Sequence, residues 1–200
     1  MNVLREFQKT GADLFTAGLN NSHSGNMSVR VNRMLAITRT GSMLHRLDHS
    51  DIIETTIDDD DSETIRASRE IPVHRAIFRG TDADAIVHAH PAYAIALSLS
   101  LDHIRPVDAE GFYYFPNGIP VIEVENPIAS EEVGRAVVPL LKTCPIVVVR
   151  GHGSFAVGPT LEDGLHWTTS LEHSARILCL HLCLRLSPNL STNLSLADRQ

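Results

Sequence analysis

His88 and His90 stand two residues apart in the run Ala85-Ile86-Val87-His88-Ala89-His90-Pro91. The apolar lead-in predicts a strand, on which residues i and i+2 leave the same face. Two imidazoles side by side at a strand end can share a divalent cation, since neutral imidazole is a common metal ligand. They can equally be two half-buried histidines that only pack there. A second apolar run, Val147-Val148-Val149-Arg150, leads into Gly151-His152-Gly153. Glycines on both sides of a histidine let the backbone come close to a site, and ligands of α/β folds gather at strand ends. Three histidines from two strand ends would leave one or two metal positions open, the catalytic rather than the structural pattern. Spacing alone does not make the two strands neighbours.

Two further segments carry chemistry. Ser68-Arg69-Glu70 opens a predicted helix. Its carboxylate can serve as a fourth metal ligand or a general base, or as an N-terminal acid that complements the helix dipole. The stretches Ser24-Gly25-Asn26-Met27-Ser28-Val29-Arg30 and Ile37-Thr38-Arg39-Thr40-Gly41 hold small polar residues and glycines. Such loops offer N–H groups and hydroxyls to an anion, or are simply turn-rich connections. The chain has no Walker loop and no GxGxxG motif, so neither a P-loop NTPase nor a Rossmann dehydrogenase is indicated.

The elements that must position these groups follow from periodicity. Val3, Leu4, Phe7, Gly11, Leu14 and Phe15 trace one face of a helix over 3–17, with Gly18 as its stop. Residues 27–31 and 34–38 read as strands joined by an Asn32-Arg33 hairpin turn. Helices are expected at 70–80, 92–101 (with Pro91 in its first turn), 131–141 and 161–186. The last would bury Leu165, Leu171, Ile177, Leu178, Leu182 and Leu186. Strands are expected at 85–88, 119–124 and 146–149, with 155–157 as hairpin partner of the last. The acidic run 58–63 reads as a solvated loop, because it lacks the spaced oxygen ligands and glycine of a calcium loop. Strands and helices interleave, which predicts an α/β fold with a mixed sheet over 1–186. Residues 187–200 read as a polar C-terminal tail.

Composition narrows the class. Of 200 residues 43% are hydrophobic and 20% charged, as in a globular domain. A net charge of −7 and no basic stripe argue against nucleic-acid or anionic-membrane partners. No window approaches the ~18–20 apolar residues of a membrane span, and the charged start Met1–Phe15 does not read as a signal peptide. Cys144, Cys179 and Cys183 are too few for a disulfide framework and suit a reducing cytoplasm. Histidine is abundant, 11 residues, and clustered.

In this order the segments GLNNSHSGNMSVR, ITRTGSMLHRLDHSDII, SREIPVHRAIF, DADAIVHAHPAYAIALS and VVVRGHGSFAVGPTLEDGLHWTTSLEHSARI resemble the class II aldolase/adducin family, and within it the fuculose-1-phosphate aldolase branch. The resemblance runs from about residue 4 to about residue 186. It implies a three-layer α/β/α fold around a central mixed, largely antiparallel sheet, and a homotetramer with active sites at subunit interfaces. It implies that His88, His90 and His152 bind zinc, or Mn, Fe, Co or Ni at the same donors. It also implies that Glu70 is the acid/base carboxylate and that Asn26, Thr40, Gly41 and Ser68 hold the substrate phosphate. Arg69 stands where the family's aldolases have a small hydroxyl residue, and is expected to add its charge to that phosphate site, or to pair with Glu70 or an acid elsewhere.

The activity implied is cleavage or formation of a ketose 1-phosphate, from dihydroxyacetone phosphate and a small aldehyde such as lactaldehyde, through a metal-stabilised enediolate. No segment matches the aldolases' C-terminal tyrosine, and Tyr113 and Tyr114 fall near the segment from which a neighbouring subunit supplies a second one. His74, one turn after Glu70, is expected to support that carboxylate. His23, His45, His49, His103, His166, His173 and His181 are expected on surfaces or helix faces. The same framework serves a methylthioribulose-1-phosphate dehydratase. It also serves pentulose-phosphate 4-epimerases, which carry aspartate at the Glu70 position, and the non-catalytic adducin head, which lacks the full histidine set.

Overall fold

The computed structural model describes residues 3–186, so the tail expected at 187–200 lies outside the described residues. Helix α1 (Val3–Thr16) buries Phe7 and Leu14. It ends where the Leu19 N–H bonds the Leu14 carbonyl and the Gly18 N–H bonds the Phe15 carbonyl. This is the double closure of a Schellman motif, with Gly18 at φ +71°. Strands β1 (Asn26–Val31) and β2 (Met34–Thr38) form the expected hairpin. Its two-residue turn carries Asn32 at φ +58°, a conformation asparagine tolerates.

The remaining elements are β3 (Ile52–Thr56), α2 (Ile71–Gly80), β4 (Ala85–Ala89), α3 (Ala92–Ser98), β5 (His103–Ile104), α4 (Ala109–Tyr114), β6 (Ile119–Ile122), α5 (Glu131–Leu141), β7 (Ile146–Val149), β8 (Gly153–Gly158) and α6 (Leu161–Leu186). The eight strands form one sheet in the order β3-β2-β1-β4-β8-β7-β6-β5. Every neighbour is antiparallel except β6 and β7. The expected mixed, largely antiparallel sheet is thus observed.

Alternation along the strands builds two cores. Ala85, Val87 and Ala89 of β4, with Ile146 and Val148 of β7, join Phe7, Leu14, Leu161, Leu171 and Leu178 on one side. Ile86, Val147 and Val149 join Val73, Ile77, Val133 and Val137 of α2 and α5 on the other. Three α/β/α layers result.

Several boundaries differ from expectation. Helix α3 stops at Ser98, and Pro91 is its N-cap rather than a residue of its first turn. Glu70 likewise precedes α2 as its N-cap. The apolar stripe of α6 packs against the core as far as Leu178 and Cys179. Leu182 and Leu186 are exposed, because the helix runs past the edge of the layers beneath it. Strands β3 and β5 and helix α4 were not expected. The acidic run is a surface loop, tied down by an Asp60–Arg75 ion pair and by Asp61 accepting from Thr55 and Thr64.

Candidate metal and anion site

The register of the sheet brings the three histidines together. β4 lies antiparallel to β8, with Ala89 opposite Ser154 and His88 opposite Phe155. The turn from β7 into β8, which carries His152, therefore sits beside the end of β4. Ring centroids are 4.8 Å apart for His88–His90, 4.9 Å for His88–His152 and 5.4 Å for His90–His152. One nitrogen from each ring lies within 4.8 Å of the others. Gly153 makes this approach possible. A Cβ there would stand 2.5 Å from the Ala89 carbonyl oxygen, 2.7 Å from the His90 ring and 3.1 Å from the His88 ring.

The rings are prepared as donors. His88 Nδ1–H donates to the Ser154 carbonyl at 2.9 Å, which leaves the Nε2 lone pair free. Burial, then the neighbouring His90 and His152, hold His88 far below the ordinary histidine range. Burial and His152 push His90 down to about 4. Burial lowers His152 too, against a backbone hydrogen bond at Pro127. All three are neutral at pH 7. Glu70 Oε2 is buried without a hydrogen-bond partner, an omission a coordinated cation would repair. Three neutral imidazoles with a nearby carboxylate fit a divalent transition-metal ion.

Glu70 is turned away from its own helix. Its side chain makes no capping bond to α2; Oε1 accepts from the Ala129 N–H at 3.0 Å and lies 3.8 Å from His152 Nε2. The dipole-complementing alternative is therefore not what this side chain does. Burial raises its pKa to about 7, against the Ala129 hydrogen bond and the Arg69 charge. A carboxylate so placed is matched to proton transfer near neutral pH.

Beside the histidines lies a polar cleft. Its volume of about 310 Å³ is lined by all nine residues singled out above: Asn26, Thr40, Gly41, Ser68, Arg69, Glu70, His88, His90 and His152. It also takes in His23, expected on a surface, Arg39, which falls in one of the stretches read above, and Ser42 and Ile128, which were not foreseen. The loop after β2 is pinned on both sides. Thr40 N–H bonds the Arg66 carbonyl and Ser68 N–H the Thr38 carbonyl, each at 3.0 Å. Asp51 beneath it accepts from Ser42 Oγ at 2.7 Å, Arg39 Nη2 at 2.8 Å and the Asp48 N–H at 3.1 Å. Burial pulls Asp51 up, and these bonds outweigh it and keep the carboxyl below its usual range.

One expectation fails on geometry. His74 does not bond the Glu70 carboxylate. Its ring nitrogens bond Ser28 Oγ and Asn26 Oδ1, each at 2.6 Å. Neither Tyr113 nor Tyr114 lines this cleft in its own chain. Tyr113 is 81% exposed, and Tyr114 packs against His166 and Trp167.

Comparison with known proteins agrees with the geometry. Residues 5–179 match the model of the class II aldolase and adducin N-terminal domain. The chain belongs to this family. The crystal structure of L-fuculose-1-phosphate aldolase from Thermus thermophilus superposes with a TM-score of 0.87 at 38% identity, covering 92% of this chain and 97% of that one. A methylthioribulose-1-phosphate dehydratase of Acidiphilium cryptum is 32% identical over 172 residues, 79% of this chain and 81% of that protein. A 3,4-dihydroxyphthalate decarboxylase of Rhodococcus jostii is 31% identical over 114 residues. That alignment spans 54% of this chain and about half, 47%, of the decarboxylase. Class II aldolase relatives thus include lyases of several kinds. Among the described residues no helix is long and apolar enough to cross a membrane.

Proposed function

We propose that this chain is a divalent-metal-dependent aldehyde-lyase that cleaves or forms a ketose 1-phosphate, with dihydroxyacetone phosphate and a small aldehyde such as lactaldehyde as the pieces. The observation that carries the reading is one cleft holding a buried carboxylate with a pKa near 7, a three-histidine donor set and an anion cradle. The likeness to the Thermus aldolase supports it.

His88, His90 and His152 would hold the metal, zinc by the nitrogen-rich donor set. A divalent ion there supplies Lewis-acid polarisation of a substrate carbonyl. Asn26, Thr40, Gly41, Ser68 and Arg69 bind the phosphate and set where the carbon next to the carbonyl lies. Glu70 takes the proton from that carbon and returns it in the reverse direction. Its burial keeps the carboxylate basic enough to do so.

The protein is further proposed to be cytoplasmic and homotetrameric. Phe112 and Tyr113 on α4, and Leu180, Leu184 and Leu186 on α6, are exposed apolar side chains that an assembly would cover. Sedimentation equilibrium of the full chain tests this, and a monomer at micromolar concentration refutes it.

The deciding experiment is proton NMR of dihydroxyacetone phosphate with the zinc-loaded protein in D₂O, without aldehyde. Zinc-dependent, stereospecific exchange of one C3 proton, lost in Glu70→Gln, is the result expected of the aldolase. The relative in Acidiphilium cryptum favours a second reading, a dehydratase of a 1-phosphorylated pentulose. Loss of water from such a ketose phosphate, without exchange of dihydroxyacetone phosphate, would decide for it.

A further inference from the structure

We propose that His74 is a positioning residue that fixes which face of the Asn26 amide looks into the anion cradle. The inference rests on the anion-binding part of the reading above. His74 is fully buried on α2, and Asn26 is 7% exposed at the start of β1. Oδ1 of Asn26 can only accept, so His74 Nε2 must donate across their 2.6 Å contact. The ring then carries its proton on Nε2, and Nδ1 accepts from Ser28 Oγ–H, also at 2.6 Å. Burial, which pushes the ring down to about 3, keeps it neutral and so able to do both.

The consequence falls on the other end of the amide. With its carbonyl held inward by His74, Asn26 turns its NH₂ group outward, and two N–H donors face the cleft that Asn26 lines. The opposite flip would present a carbonyl oxygen to an incoming phosphate and repel it. An amide alone does not choose between the two orientations, because its ends have nearly the same shape. The Nε2–H of His74 holds the orientation observed here.

Placement supports the assignment. Asn26 and Ser28 are i and i+2 on β1, so both face α2. Asn26 pairs in register with His88 on β4, which sets the amide beside the histidine cluster. Glu70, the N-cap of α2, and His74 are four residues apart, about one helical turn. One helix turn thus serves both the carboxylate and the amide. An imidazole between the apolar neighbours Val73, Ile77 and Phe155 costs desolvation, a cost an aliphatic side chain would avoid.

The test joins a spectroscopic readout with a binding one. Nitrogen-15 NMR of histidine-labelled, zinc-loaded protein should show His74, assigned by its loss in His74→Gln, as the neutral Nε2–H tautomer. The Nδ1–H tautomer would overturn the inference. Binding of inorganic phosphate by the zinc-loaded protein is measured alongside. His74→Leu should weaken it by about tenfold or more, the scale of a misdirected hydrogen bond to a charged group, with zinc stoichiometry unchanged. In His74→Gln the side-chain amide reaches the Nε2 position, and binding should recover to within about threefold of wild type. Wild-type phosphate binding in a folded His74→Leu, while Asn26→Ala loses it, overturns the role of His74 alone. Wild-type binding in Asn26→Ala itself overturns the cradle reading beneath it. Should His74→Leu not fold, the tautomer and the failure or success of His74→Gln still decide.

Discussion

Glu70 Oε1 lies 3.8 Å from His152 Nε2 while accepting the Ala129 N–H at 3.0 Å. The acid/base candidate and a metal-ligand candidate therefore share one small volume, although they are far apart in the chain. Strand β8 brings His152 to the end of β4, and Ala129, at φ +54°, reaches in from the loop before α5. Glutamine at position 70 keeps an oxygen for Ala129 and removes the base. Glu70→Gln should lower turnover by about 10²–10⁴-fold, the usual share of a general base. Zinc content should stay near wild type. Equal turnover in the two proteins would take Glu70 out of the reaction.

Metal removal should separate the histidines from the rest of the cleft. Dialysis against a chelator is expected to abolish turnover and expose three neutral rings to protonation, and added zinc should restore it. His88→Ala, His90→Ala and His152→Ala should each lose stoichiometric zinc by atomic absorption. Full occupancy in any of the three would exclude that residue as a ligand.

Much of this site is legible in the sequence, and the reasons differ by element. The β-branched run Ile146–Val149 reads as a buried strand, and Asn32 marks the turn between β1 and β2 because few residues accept a positive φ. Strand β3 escapes because its buried face is Ile53 and Thr55, with Glu54 between them, a weak alternation. Strand β5 has two residues and α4 has six, too few for periodicity to register. The pairing of β4 with β8 spans three helices and three strands of intervening chain, which no local spacing encodes. The family resemblance, not the HxH motif, supplies that neighbourhood. His74 is misplaced for a similar reason. Its spacing from Glu70 is real, but its bonds reach across to β1.

Gly153 should be intolerant of even one methyl group. A Cβ would stand 2.5 Å from the Ala89 carbonyl and 2.7 Å from the His90 ring, so backbone or ring must yield. Gly153→Ala is expected to cost about 1–3 kcal/mol in denaturant unfolding, as overpacked sites do. It should also weaken zinc binding, because the yielding groups include two candidate ligands. Wild-type zinc affinity would show that the strand gives way instead of the rings.

Asp51 braces the loop after β2 without lining the cleft. It accepts from Ser42, Arg39 and the Asp48 N–H. Asp51→Asn keeps the shape and weakens bonds to a charged acceptor that are worth about 1.5–3 kcal/mol each. The expected result is a KM raised by about tenfold for a phosphorylated substrate, with a smaller change in kcat. A drop in kcat at constant KM would instead tie the loop to the chemical step.

His74 should leave a signature in the pH dependence of stability. Burial lowers its pKa from the ordinary 6.5 to about 3 in the folded chain. Between those values the unfolded chain binds a proton that the folded chain refuses, so unfolding is favoured as pH falls. The sign follows: the contribution is whole above about 6.5 and is lost as the pH drops toward 3. The loss runs at ~1.4 kcal/mol per pH unit, the equivalent of one proton. His88, His90 and His152 are also held low, and they act in the same direction. Only a comparison with a variant at position 74 isolates the one ring. Urea unfolding of zinc-loaded wild type and His74→Gln at pH 7.5, 6 and 5 makes that comparison. The wild-type advantage should shrink steadily across the series, because glutamine has no proton to gain. A constant difference would mean that His74 titrates alike in both states, and burial would not then be what keeps the ring neutral.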